Sequence, residues 1–367
     1  MDAGFADAGV SDGGYSCNPQ TGLSQPLAVC SVAAPCEKGM EFSDGGIVRS
    51  TITTSTRVPD CRTSVSDHPL FDDGLPEEWA DSDGIKRYGC VYRPPGASAS
   101  SPRPLVLYFH GSGGSAQNVY NNTRLREKAL DFDLSGDAAR PGFILASVQG
   151  RYLHWPTSHS DATHHDTYFR HPTNPDVVNT DRLIDALVAE NRVDPQRIYV
   201  MGWSNGAAFA ELYALLRHGA PTPGGNRVAA GAVYAFYNPY ENLSATQTPS
   251  CELNPYPTST APLYLLVRAC DALTACSAAQ EAAFGLPPGY GAETWVGQLA
   301  TGVGNPNVTF QIITGAGVAV TACAPVALCT ETTGTINHLR WPDGLMDGSG
   351  NDWEVPMLAF LRAHPHL

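Results

Sequence analysis

From residue 85 onward the chain alternates two hydrophobic patterns. Short apolar runs cover 105–109, 143–148, 197–202, 228–236, 262–267 and 308–313. Runs of this length with little polar alternation fit strands buried on both faces, as in a parallel sheet. Between them lie stretches with helical spacing. In 176–191, Leu183, Ile184, Leu187 and Val188 share one helix face. Residues 116–131, 207–217 and 352–363 also read as helices. Residues 85–92 alternate like a strand, and 94–104 read as a Pro- and Ser-rich loop. The alternation predicts one α/β domain over 85–367, a mostly parallel sheet with helices on both faces.

The first 84 residues read differently. Residues 1–16 are Gly, Ala, Asp and Ser and fit a disordered leader. Residues 17–84 hold four cysteines and a Thr/Ser-rich, strand-like run at 47–58, and read as a disulfide-tied N-terminal extension. No signal peptide is visible. The opening Met1-Asp2-Ala3-Gly4 reads as a start on an exported chain whose signal has been removed.

Composition narrows the class. Hydrophobic residues are 43% and charged residues 16% of 367, which fits a sizeable core rather than a disordered or coiled-coil chain. No apolar run approaches the roughly 18 residues that span a bilayer. The net charge of −14 repels phosphate backbones, so no nucleic-acid partner is expected.

Ten cysteines without a Cys-x-x-Cys pair argue for structural disulfides in an oxidising compartment, and against a zinc ribbon or a thioredoxin-like site. Five fall at 17–90 and five at 251–329. If all are paired, at least one bridge joins the two groups. Cys270 with Cys276 and Cys323 with Cys329 are the natural local pairs, which leaves Cys251 to cross to the N-terminal region.

Gly202-Trp203-Ser204-Asn205-Gly206 is a Gly-x-Ser-x-Gly sequence between an apolar strand and an Ala-rich helix. In that context the serine lies on a sharp strand-to-helix turn with Oγ projecting above the sheet. The helix N-terminus supplies free N–H groups for developing negative charge. His110-Gly111-Ser112-Gly113-Gly114 follows the 105–109 strand and reads as an oxyanion loop, Ser112 N–H acting with Asn205 N–H. The same glycines match a degenerate dinucleotide fingerprint, but Asp131 and Asp133 do not end a strand as that motif requires. Serine hydrolases on such sheets order their triad Ser, acid, His. Asp271 follows the 262–267 run, with Glu281 as the rival acid. His338 follows the last strand. His364 and His366 lie beyond the final helix and read as surface residues.

These segments resemble a known group. His110-Gly111-Ser112-Gly113-Gly114, the 200–207 stretch around Ser204, Arg268-Ala269-Cys270-Asp271 and the 338–344 stretch His-Leu-Arg-Trp-Pro-Asp-Gly are similar to those of secreted α/β-hydrolase serine esterases of the polyhydroxybutyrate depolymerase and feruloyl esterase type. The resemblance spans about 85–365. It implies an α/β-hydrolase fold, Ser204, Asp271 and His338 as the triad, no cofactor, and hydrolysis of carboxylic esters, often in polymers or plant cell-wall material. Two departures stand out. The N-terminal extension matches nothing in the group. Trp203 and Asn337 stand where some fungal feruloyl esterases carry cysteines beside the serine and the histidine.

Residues 150–171 carry Tyr152, His154, Trp155, His159, His164, His165, Asp166, Tyr168 and His171. The segment leaves the carboxyl edge of the sheet, where ligands bind. It lacks a metal-ligand spacing and reads as cleft wall, so no metal is expected. Tyr152, His154, Trp155, Trp203 and Trp341 are the candidate substrate contacts. Residues 131–136 imitate a calcium loop without its closing Glu. Asn121, Asn242 and Asn307 head glycosylation sequons. The expectation is a secreted, monomeric serine carboxylesterase with a polymeric or small ester as substrate. The alternatives are a serine peptidase with the same triad and a catalytically silent adhesion protein.

Overall fold

The computed structural model describes residues 40–43, 46–49, 58–66, 68–80, 86–150, 165, 167, 174–219, 225–239, 259–271, 273–274, 276–286, 289–314, 331–345 and 347–366. The expected leader, most of the 17–57 stretch, and Tyr152, His154, Trp155, Cys251, Cys323 and Cys329 lie outside these residues.

Two strands, β1 (Met40–Ser43) and β2 (Gly46–Arg49), form an antiparallel pair. The main sheet has eight strands: β3 (Glu77–Ala80), β4 (Lys86–Tyr92), β5 (Arg103–Phe109), β6 (Ile144–Val148), β7 (Val193–Trp203), β8 (Ala230–Tyr234), β9 (Leu263–Arg268) and β10 (Val308–Ile313). Their order is β10-β9-β8-β7-β5-β6-β4-β3. Every pairing is parallel except the two made by β4. The order, with β5 and β6 exchanged and one antiparallel strand second from the edge, is that of the α/β-hydrolase fold. The first strand of the sheet begins at Glu77, upstream of residue 85. β3 belongs to the sheet, although its four residues, Glu-Glu-Trp-Ala, give no apolar run.

The central strands are buried along their whole length, as their unbroken apolar runs require. On one face, Leu105, Leu107, Phe109, Ile198 and Val200 pack with side chains of α3 (Pro175–Ala189), α4 (Asn205–Arg217) and α6 (Ala292–Gly297). On the other, Val106, Tyr108, Tyr199 and Met201 pack with α1 (Asn118–Asn121), α2 (Leu125–Lys128) and α8 (Glu354–Ala363). Alternate residues of each strand thus feed alternate layers, as the pleat dictates. Two further helices, α5 (Ala278–Phe284) and α7 (Glu331–His338), follow β9 and β10. The helix expected at 116–131 is two single turns. Thr123 breaks it by turning its hydroxyl back to the Val119 carbonyl at 2.6 Å, and Arg124 leaves helical geometry at φ −102°, ψ 15°.

Segment 58–80 is bound to the domain covalently and by charge. Cys61 bridges Cys90 of β4. Asp73 accepts from the Arg126 guanidinium at 2.5 and 2.6 Å and from the Tyr120 hydroxyl at 2.8 Å. Arg126 in turn lies 3.3 Å over the Tyr92 ring and 4.3 Å over Phe71. Among the described residues no helix is long and apolar enough to cross a membrane.

Candidate active site

The site forms at the carboxyl ends of β5, β7 and β9. β7 ends at Trp203 and α4 begins at Asn205, so Ser204 alone makes the turn, at φ 57°, ψ −121°. The flanking glycines are dictated by contact distance. A methyl on Gly202 would lie 2.1 Å from the Gly206 carbonyl oxygen, and one on Gly206 would lie 2.1 Å from the Phe109 carbonyl oxygen. Only hydrogen fits at either place, which lets helix and strand close on each other around the serine.

Three side chains form one line of hydrogen bonds. His338 Nε2 lies 2.8 Å from Ser204 Oγ, and His338 Nδ1 lies 3.1 and 3.0 Å from the two oxygens of Asp271. Asp271 and His338 are buried. Asp271 Oδ1 also accepts from the N–H groups of Leu273 and Thr274, at 2.9 and 3.1 Å, so the turn after β9 fixes the carboxylate. The rival acid Glu281 is occupied elsewhere: its oxygens accept from Gly289 N–H at 3.2 Å and Gly291 N–H at 2.7 Å. His338 is the last residue of α7, a placement the run Glu-Thr-Thr-Gly-Thr did not suggest.

The His110 loop faces Ser204. A methyl on Gly111 would sit 3.4 Å from Ser204 Cβ and 4.0 Å from Oγ. His110 is fully buried. Its Nε2 accepts from Gly150 N–H at 2.9 Å, so the proton resides on Nδ1, which donates to the Gly111 carbonyl at 2.7 Å. Gly114 N–H donates to the same carbonyl at 3.0 Å. The Ser112 N–H is trans to that carbonyl across one planar peptide, so holding the carbonyl fixes the N–H on the opposite side. Asn205 N–H opens α4, where the first N–H groups of a helix have no intrahelical acceptor. Such a line of side chains can move a hydroxyl proton, and free N–H groups beside it can hold a developing oxyanion.

Several expected contacts have other placements. Trp203 and Trp341 are buried, at 7% and 2% exposure. The Trp203 indole N–H donates to the His338 carbonyl at 2.9 Å, and the Trp341 N–H to Glu354 at 2.6 Å, so both indoles point inward. His165 is also a core residue. Its ring stacks on Phe209 at 5.1 Å and meets His110 at 4.6 Å and Phe109 at 5.2 Å. The Asn205 side-chain amide pairs with its backbone in both directions, at 2.8 and 3.0 Å. Cys270, at φ 60°, and Cys276 are both disulfide-bonded, so both flanks of the Asp271 turn are covalently tied. Their pairing with each other remains an expectation, as does that of Cys323 with Cys329. The sequence did not expose the partners of the His110, Asn205 and Trp203 side chains; all three lie inside or beside the two motifs, but only contact geometry assigns them.

No family model matches the chain. A 121-residue stretch is 33% identical to NocK of Nocardia uniformis subsp. tsuyamanensis, a protein that bears the name of an esterase; the match covers 33% of this chain and 31% of that one. The chain therefore spans less than a third of that relative's length in the matched part. Among solved structures, a thermostable esterase is 15% identical over 92% of this chain and 86% of its own, with a TM-score of 0.46. A bacterial heroin esterase is 18% identical over 82% of this chain and 86% of its own, with a TM-score of 0.44.

Proposed function

We propose that the chain is a serine carboxylesterase acting through an acyl-enzyme. Ser204 is its nucleophile, His338 its general base and acid, and Asp271 the carboxylate behind the histidine. The observation that carries this reading is the continuous line Ser204 Oγ, His338, Asp271, with links of 2.8 and 3.0 Å, at the carboxyl edge of the sheet. As Oγ bonds to the ester carbonyl carbon, its proton passes to His338 Nε2. The carbonyl electron pair moves onto oxygen, where the Asn205 and Ser112 N–H groups hold it. The tetrahedral centre then collapses. The C–O bond to the alcohol breaks, and the leaving oxygen takes the proton from Nε2. Water attacks the acyl-enzyme with His338 again as base, which returns the serine hydroxyl and frees the acid. Asp271 accepts a hydrogen bond from the Nδ1–H throughout, which fixes the tautomer and stabilises the imidazolium.

Within this class the reading extends to a secreted, monomeric enzyme that acts on polyester or on feruloylated cell-wall material. The motif resemblance supports the substrate class. The half-cystines at 61, 90, 270 and 276 support an oxidising compartment. A panel of polyhydroxybutyrate film, methyl ferulate, p-nitrophenyl esters and a peptide anilide tests it. Turnover of the esters with no anilide cleavage is expected. Cleavage of the anilide alone would replace the reading with a peptidase, and no turnover of any of them with an accessible Ser204 would favour the silent adhesion protein. Chelators should leave the rate unchanged, because the proton moves through side chains alone; a loss restored by zinc would bring the 150–171 histidines into the chemistry.

A further inference from the structure

His338 is held through its backbone. It is the last residue of α7, and the final carbonyls of a helix have no intrahelical donor. Here the last two carbonyls are taken by side chains. The Tyr234 hydroxyl donates to the Asn337 carbonyl at 2.7 Å, and the Trp203 indole N–H donates to the His338 carbonyl at 2.9 Å. Both contacts are buried. The two donors are opposite one another in the sheet, as the terminal registered pair of β7 and β8. Trp203 directly precedes Ser204, and the Ser204 N–H donates to the Tyr234 carbonyl at 3.1 Å. The Asn337 side chain adds a bond to the Ala269 carbonyl at 2.8 Å, two residues before Asp271.

The direction of the tyrosine bond is set from behind. Arg268 Nε donates to the Tyr234 oxygen at 2.9 Å, so the hydroxyl must direct its own proton elsewhere, and the Asn337 carbonyl receives it. Burial pushes the Tyr234 pKa upward, which keeps the hydroxyl a donor. Arg268 is itself paired with the fully buried carboxylate of Asp347. Indole N–H can only donate, so the Trp203 bond has one polarity.

We infer that Trp203 and Tyr234 are positioning residues, which cap α7 and so hold the His338 ring in line between Ser204 and Asp271. This rests on the esterase reading above. An imidazole reaches its partners through two side-chain torsions, so a shift of its backbone is carried directly to Nε2. Displacement of a reacting group by about 1 Å can cost two orders of magnitude in rate.

The test uses Trp203→Phe and Tyr234→Phe, each of which removes one donor and keeps a ring. Each should lower kcat about tenfold, with KM within about twofold, and slow fluorophosphonate labelling by the same factor as kcat. The double variant should fall below either single one. Replacement of Trp203 by 3-benzothienylalanine, which has the indole shape without the N–H, should behave as Trp203→Phe and serves if the phenylalanine variant does not fold. A merely structural role would lower the melting temperature and leave kcat and labelling rate per folded molecule unchanged, and that result would overturn the inference. Wild-type protein labelled at Ser204, with variants labelled equally fast, would refute the positioning role alone. Wild-type protein not labelled at Ser204 would refute the esterase reading beneath it.

Discussion

Ser204 sits at φ 57°, where a side chain with a Cβ is strained by about 1–3 kcal/mol. Both Ser204→Gly and Ser204→Ala remove the hydroxyl, but only glycine relieves that strain. The glycine variant should therefore melt higher than the alanine variant; equal melting temperatures would show an unstrained elbow. Glu211 offers a second measurement at this scale. It is fully buried in α4, with one oxygen accepting the Trp295 indole N–H at 2.6 Å. Burial raises its pKa well above the ordinary 4.5, so the folded protein keeps it protonated where the unfolded chain ionises it. Its contribution is thus intact below about 4.5 and erodes as pH rises toward the folded value. Relative to wild type, Glu211→Gln should gain about 1.4 kcal/mol of stability per pH unit across that window. A difference that stays flat from pH 5 to 8 in denaturant titrations would show that Glu211 is ionised in the fold. The catalytic candidates were legible as residues because a motif and a fixed chain order single them out. Trp203 was legible only as an aromatic near the serine. Whether an indole faces a substrate or caps a helix depends on a carbonyl 135 positions away, which spacing along the chain does not encode.

At the scale of elements, the packing of α4 on β5 depends on Gly206. Gly206→Ala drives a methyl against the Phe109 and His110 carbonyl oxygens, at 2.1 and 2.5 Å, and backbone cannot yield as a side chain would. A loss of about 3 kcal/mol or more is expected, together with loss of turnover, since the same movement separates Ser204 from the His110 loop. A variant with unchanged melting temperature and activity would show that α4 shifts freely on the sheet. The buried strands were readable because burial on both faces leaves unbroken apolar runs. β3 was not, because it is an edge strand with alternate burial and two glutamates in four residues. α7 was not, because Thr-Thr-Gly-Thr is poor in helix formers, so its helical state reflects tertiary contacts rather than propensity. The turn after β9 was readable through its aspartate and its two cysteines.

For the whole molecule, the Cys61–Cys90 bridge joins the segment before the sheet to its second strand across 29 positions. The chain-entropy model gives about 3.6 kcal/mol for a loop of that size. The double change Cys61→Ser with Cys90→Ser should lower stability by about that amount, read by denaturant titration. A loss near zero would mean that the Asp73 contacts to Arg126 and Tyr120 already hold segment 58–80. The extension was recognisable from its cysteines, but its attachment was not. Parity constrains how many bridges cross between groups and leaves the partners within a group open, and the Asp73–Arg126 pair has no sequence signal.

The central claim is that Ser204 carries the acyl group. The most direct measurement is mass spectrometry of the protein after reaction with a fluorophosphonate, beside the Ser204→Ala variant assayed on a p-nitrophenyl ester. The expected result is one adduct per chain, on the peptide containing Ser204, with activity lost in proportion, and a variant whose kcat is lower by several orders of magnitude. An adduct on another residue, or a Ser204→Ala protein that turns over the ester at close to the wild-type rate, would contradict it.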